Sequence, residues 1–146
     1  MQAELSIVIP CLNEEKSLAY CLEKAKRFLS ENNVVGEIIV VDNGSTDNSI
    51  NIAKDFQVRI INETEKGYGR ALITGIKASS GKFVIMGDAD DSYDFYPLMP
   101  FLDGLRKGND LVVGNRFAGG IQKNAMPFLH QYFGNPILSF TSKLFF

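Results

Sequence analysis

Asp88, Asp90 and Asp91 follow directly on the apolar run Phe83-Val84-Ile85-Met86 and a single glycine, Gly87. The run is apolar and too short for a helix, and reads as a buried strand. In a chain that stays extended, alternate side chains share a face, so Asp88 and Asp90 point one way while Ala89 turns aside. Two carboxylates so placed form a claw of hard oxygen ligands. It suits Mg²⁺ or Mn²⁺, with water and phosphate oxygens filling the other octahedral positions. The competing reading is an acidic turn after a strand, and the rest of the chain has to decide.

The elements around the claw are legible from periodicity. Leu5-Ser6-Ile7-Val8-Ile9 is a first strand, expected to stop at Pro10, which cannot donate to a ladder. Leu18, Cys21, Leu22, Ala25, Phe28 and Leu29 recur at helical spacing, and that helix ends near Asn32-Asn33. Glu37-Ile38-Ile39-Val40-Val41 is a second strand, continuous in apolar character and so buried on both faces. A turn over residues 42–48 leads into a helix through Phe56, with Ser45 or Thr46 as N-cap. Val58-Arg59-Ile60-Ile61 is a third strand. Gly67-Tyr68-Gly69-Arg70 opens a helix with Leu72, Gly75, Ile76 and Ser79 on one face. After the claw strand, Leu98, Phe101, Leu102 and Leu105 mark a further helix, and Asp110-Leu111-Val112-Val113 reads as a fifth strand.

Strand and helix alternate throughout, which predicts an α/β fold: a doubly wound, mostly parallel sheet with helices on both faces. Ligands of such sheets sit at the carboxyl ends of the strands. Asn13-Glu14, Asp42-Asn43, Asp88-Ala89-Asp90 and Asn115-Arg116 all fall there. Four coincident polar clusters favour the metal claw over the acidic turn.

Composition narrows the function classes. The 146 residues, 45% hydrophobic and 22% charged, are those of one globular domain. A net charge of −2 argues against nucleic acid as a partner, which needs a basic face. All 17 acidic residues lie at or before Asp110, and the remainder carries only Arg116, Lys123 and Lys143 as charges. Cys11 and Cys21 have no zinc or redox spacing and are expected as reduced, buried thiols. No leader sequence and no bilayer-spanning run is apparent.

Residues 7–15, 37–47 and 66–71, the Asp88-Ala89-Asp90 triplet and Gly114-Asn115-Arg116-Phe117 together resemble family 2 glycosyltransferases. Within that family they are most similar to the dolichol or polyprenyl phosphate mannose or glucose synthase type. The resemblance covers residues 5–117 in order. It implies a GT-A fold, a UDP- or GDP-sugar donor, a Mg²⁺ or Mn²⁺ cofactor and inversion at the anomeric carbon. By the same resemblance, Pro10, Asn13, Glu14, Asp42 and Asn43 belong to the nucleoside site. Lys66, Gly67 and Arg70 face the diphosphate, Asp88 and Asp90 bind metal with Ala89 between them, and Asp90 and Arg116 are the catalytic pair. Asn43 stands where many relatives carry a second aspartate, which weakens negative charge beside the nucleotide and leaves the base preference open.

A hydroxyl acceptor demands a general base, for which Asp91 and Asp94 are the candidates. A phosphate acceptor does not, since its second pKa of about 6 leaves it largely ionised. His130, the only histidine, reads as a packed or interfacial residue. Residues 1–120 are expected to form the nucleotide-sugar domain. Residues 121–146 read as two short amphipathic helices rich in aromatics, suited to a membrane interface or to a second copy of the chain. The expectation is therefore a cytoplasmic enzyme, peripheral to a membrane, with a lipid phosphate acceptor. Relatives of the synthase type continue further on the acceptor side, so a truncated chain is expected. Two rivals remain: a family 2 transferase using a glycan or other hydroxyl acceptor, and a donor-binding module without turnover. A phospho-accepting signalling domain also places aspartates at strand ends, but the five motifs in order disfavour it.

Overall fold

The computed structural model describes residues 3–114 and Thr141. The chain divides into a unit of Met1–Val112 and a second of Val113–Phe146. The first is built from eight elements: β1 (Leu5–Cys11), α1 (Leu18–Glu31), β2 (Gly36–Asp42), α2 (Ser49–Asp55), β3 (Arg59–Asn62), α3 (Tyr68–Ala78), β4 (Phe83–Met86) and α4 (Met99–Arg106). The four strands form one parallel sheet in the order β3-β2-β1-β4.

The alternation of side chains along β1 and β2 makes two cores. Ile7, Ile9, Ile38 and Val40 enter the larger, with Leu18, Cys21, Leu22, Ala25 and Phe28 of α1, Ala53 of α2 and Leu102 of α4. Val8, Ile39 and Val41 face the other way, onto Ala71 of α3. Helices therefore cover both faces, as alternating strands and helices predict. Burial of a large aliphatic side chain contributes about 1.5–3 kcal/mol, so β1 and β2, buried on both sides, anchor the sheet.

Four expectations are corrected. Pro10 does not end β1 but lies inside it, opposite Val41. The carbonyl of Val8 accepts the N–H of Gly87, so even-numbered residues of β1 turn their backbone toward β4. β4 has ended by Met86, and the donor that Pro10 lacks would have pointed where no ladder continues. The helix after β2 starts at Ser49 behind Asn48, not behind Ser45 or Thr46, because those two residues are engaged with the first loop. On α3 the buried positions are Ala71 and Gly75, and Ile76 is exposed. A Cβ on Gly75 would stand 2.4 Å from Val8 Cγ1 and 2.8 Å from Val41 Cγ2, so the helix axis is drawn in at that glycine. Finally, residues 110–113 form no strand; Leu111 and Val113 are exposed and only Val112 turns inward, against Gly104. Alternation is present there, but no pairing partner is among the described residues.

Candidate active site

Between β1 and β4 the crossover direction reverses, which is where a doubly wound sheet opens a crevice. A cleft of about 290 Å³ lies there, lined by residues from the ends of β1, β2 and β4 and from the first turn of α3. Pro10, Glu14, Asn43, Asp88, Ala89 and Asp90 line it, six of the residues singled out from sequence. Cys11, Leu12, Tyr68 and Ala71 line it too.

The floor loops are knitted together. Asn13, at φ 58°, donates its N–H to Ser45 Oγ at 3.0 Å and accepts the N–H of Thr46 through Oδ1 at 2.8 Å. Glu14 donates its N–H to Ser49 Oγ at 2.8 Å, and its Oε2 accepts from the hydroxyl of Ser17 at 3.0 Å. Asp42 is buried, and its carboxylate accepts the N–H groups of Gly44 and Ser45 at 3.3 and 3.0 Å. Asn13 and Asp42 thus brace the cleft without lining it. Asn43, also buried, bridges to the next loop: its amide donates to the carbonyls of Glu63 and Glu65, and its oxygen accepts the N–H of Gly67 at 2.7 Å.

The acidic segment is not extended, as the claw reading assumed. The chain turns at Ala89-Asp90, so Asp88 is half-buried and Asp90 exposed. The reason is the pull of α1. Cys21 Sγ lies 3.5 Å from the carbonyl of Ala89, Lys24 Nζ sits 2.8 Å from Asp91 Oδ1 and 3.7 Å from that of Asp94, and the buried ring of Phe95 fills the space over Gly87. Asp90 Oδ1 accepts the N–H of Ser92 at 2.9 Å, and the hydroxyl and N–H of Ser92 hold its carboxyl below the usual range. Asp88 Oδ1 accepts the hydroxyl of Tyr68 at 2.7 Å. Partial burial first, and Asp88 second, push that hydroxyl up to about 12.

Lys66, Gly67 and Arg70 do not line the cleft. Arg70 pairs with Glu65 at 2.9 Å, both exposed, and Gly67 caps α3 at φ 142°. Arg116 and the amphipathic helices expected over residues 121–146 lie outside the described residues. Cys11 and Cys21 are free and buried, and burial raises both thiols, Cys21 to about 11. Among the described residues no helix is long and apolar enough to cross a membrane.

The donor set fits a hard divalent cation. Among the described residues no group of three or more His, Cys, Asp or Glu side chains gathers to hold a metal. Asp88 and Asp90 would offer two carboxylates, and Mg²⁺ commonly takes one or two, with substrate phosphates and water for the rest. Among the described residues the lining contains Glu14, Asp88 and Asp90 and no lysine or arginine. A diphosphate entering beside these carboxylates meets their negative charge, which a divalent cation held between them would offset. Sequence reasoning missed Cys11, Leu12, Tyr68 and Ala71 as lining residues, and of these Tyr68 contacts a predicted ligand. It stands 20 positions from Asp88, and nothing in its local pattern signals the contact.

The family model for glycosyl transferase family 2 matches residues 6–145. The chain is 40% identical over 136 residues to a low-salt glycan biosynthesis hexosyltransferase of Haloferax volcanii, covering 92% of this chain and 33% of that one. It is 31% identical to a dolichyl-phosphate hexose transferase of the same organism (88% and 54% covered) and 29% identical to a dolichol-phosphate mannosyltransferase of Pyrococcus furiosus (86% and 36%). It thus spans about a third to a half of the length of these relatives. Among solved structures, it superposes on glucosyl-3-phosphoglycerate synthase of Mycobacterium tuberculosis in complex with Mn²⁺, UDP and glucosyl-3-phosphoglycerate. The TM-score is 0.61 at 27% identity, with 74% of this chain and 41% of that one covered. A complex of the same synthase with Mg²⁺ and UDP also matches, with a TM-score of 0.53 at 28% identity, over 60% of this chain and 33% of that one.

Proposed function

The chain belongs to glycosyl transferase family 2, and on that premise we propose that it takes part in moving a hexose from a nucleotide diphosphate sugar to a polyprenyl phosphate, with inversion. The observation that carries the reading is the cleft at the switch point of the sheet, lined by Glu14, Asp88 and Asp90. Asp88 and Asp90 would hold Mg²⁺ or Mn²⁺, which supplies neutralisation of the charge that grows on the departing diphosphate. The nucleoside packs along Pro10, Cys11 and Leu12, with Glu14 and Asn43 at its edges. The amino end of α3, its positive dipole end, faces the diphosphate through its first turn, where Tyr68 and Ala71 line the cleft. Arg116 follows β4 and α4 in the chain and is assigned to the diphosphate by resemblance.

The acceptor phosphate oxygen attacks the anomeric carbon on the face opposite the leaving group. A new carbon–oxygen bond forms as the bond to the diphosphate breaks, and its electron pair leaves on the terminal phosphate. The phosphate acceptor is preferred to a hydroxyl for one reason. Asp91 and Asp94, the candidate bases, are both engaged by Lys24 and neither lines the cleft. An ionised phosphate needs no base. The names of two relatives, dolichol- and dolichyl-phosphate transferases, support the same acceptor class. The aromatic, acid-free stretch over residues 121–146 would meet the membrane that carries such a lipid.

The test is a thermal-shift titration with UDP- and GDP-sugars, with and without Mn²⁺, on the wild type and on Asp88→Ala combined with Asp90→Ala. A ligand at a hundredfold its Kd stabilises by about 2.7 kcal/mol. A shift with one nucleotide, dependent on Mn²⁺ and abolished in the double variant, is expected. Absence of any shift with both nucleotides overturns the reading.

A further inference from the structure

Tyr68 opens α3 and Asp88 follows β4, two elements that do not pair in the sheet, yet their side chains meet across the cleft. We propose that Tyr68 is a positioning residue for the cation site: its hydroxyl, 2.7 Å from Asp88 Oδ1, fixes the rotation of the carboxylate that would hold the cation together with Asp90. The proposal rests on the reading of Asp88 and Asp90 as ligands and adds to it the group that orients them.

Three observations support it. Among the described residues a second contact at Asp88 is to its backbone, where Cys21 Sγ lies 3.9 Å from the carbonyl and does not fix the side chain's rotation. Tyr68 itself is placed by packed structure. Asn43, buried, accepts the N–H of Gly67, and Gly67 adopts φ 142°, a conformation that L side chains rarely adopt. One turn on, Ala71 and Gly75 press α3 against Val8 and Val41. The position of the tyrosine is therefore decided by the two central strands rather than by a mobile surface loop. Lastly, a hydroxyl is the right donor for the task. It satisfies one carboxylate oxygen without bringing a positive charge that would repel the cation, as a lysine or arginine at position 68 would. Partners of this kind behind metal-bound carboxylates change affinity by about 10–100-fold when removed.

The substitution Y68F removes only the hydroxyl from a side chain that is 54% exposed, leaving the packing of α3 in place. The experiment is a Mn²⁺ titration in the presence of UDP, with free Mn²⁺ read by electron paramagnetic resonance, on the wild type, Y68F and Asp88→Ala combined with Asp90→Ala. Melting without metal is recorded for each. The expected result is Mn²⁺ binding in the wild type, none in the double variant, and about tenfold weaker binding in Y68F at an unchanged metal-free melting temperature. Y68F that binds Mn²⁺ as tightly as the wild type overturns the role of Tyr68 while leaving the ligands standing. A wild type that binds no Mn²⁺ with UDP overturns the metal site itself, and this inference with it.

Discussion

Asn43 Oδ1 accepts the N–H of Gly67 at 2.7 Å, and this contact ties the end of the central strand β2 to the start of α3. The same side chain donates to the carbonyls of Glu63 and Glu65 at 3.0 and 2.9 Å. Only an amide can do both, because a carboxylate has no hydrogen to give. The preference for asparagine here has a structural cause besides any effect on nucleotide choice.

The substitution Asn43→Asp should therefore destabilise the fold by about 1 kcal/mol at neutral pH, since the buried side chain loses both donated hydrogen bonds and sets a carboxylate against the carbonyls of Glu63 and Glu65. Urea denaturation of the wild type and N43D measures it. An equal midpoint and slope would show that the bridge is dispensable.

Gly75 governs how closely α3 approaches the sheet. An alanine there gains helix propensity of at most about 1 kcal/mol. Its Cβ, however, meets Val8 Cγ1 at 2.4 Å, and overpacking costs about 1–3 kcal/mol. Net destabilisation, with weaker UDP binding because α3 walls the cleft, is the expected outcome for G75A. Calorimetric melting and UDP titration of the same protein check both parts.

Gly87 controls the acidic turn in the same way from the other face. A Cβ at this position would stand 2.7 Å from the ring of Phe95, which is buried and cannot swing aside. G87A should displace the turn that carries Asp88 and lower Mn²⁺ affinity, with a stability loss of about 1–3 kcal/mol. Retained Mn²⁺ binding would mean that the turn is not set by this contact.

At the opposite end of the sheet, Glu37 is a stability group rather than a site group. Partial burial raises its pKa, but hydrogen bonds from the hydroxyl and N–H of Ser80, from Ser6 and from Arg59 outweigh it and hold the carboxyl down to about 2. The folded pKa lies below the unfolded value, so the stabilisation is present in full above about pH 4.5 and is lost as pH falls toward 2. It amounts to something on the order of 3 kcal/mol. Removing the charge with E37Q should flatten the stability profile across that window relative to the wild type, as followed by denaturant unfolding at stepped pH.

The core and the position of the site are written locally in the chain. Apolar runs such as residues 37–41, flanked by helical spacing, specify a parallel α/β sheet because only strands buried on both faces can be continuously apolar. Polar residues after Ile9, Val41 and Met86 mark the cleft because strand ends are where such sheets expose backbone to a ligand. Pro10, Glu14, Asn43, Asp88, Ala89 and Asp90 were within reach of that argument. Other features depend on residues far apart in sequence. Whether Pro10 ends a strand depends on where β4 stops. Whether Asp88 and Asp90 share a face depends on the pull of Cys21, Lys24 and Phe95, which turns the segment out of the extended form. Whether Ile76 is core depends on how closely Gly75 lets α3 approach Val8. The chemistry of the cleft was thus set by residue types in order along the chain. The contact between Tyr68 and Asp88 was decided only when two crossovers brought α3 and β4 to the same end of the sheet.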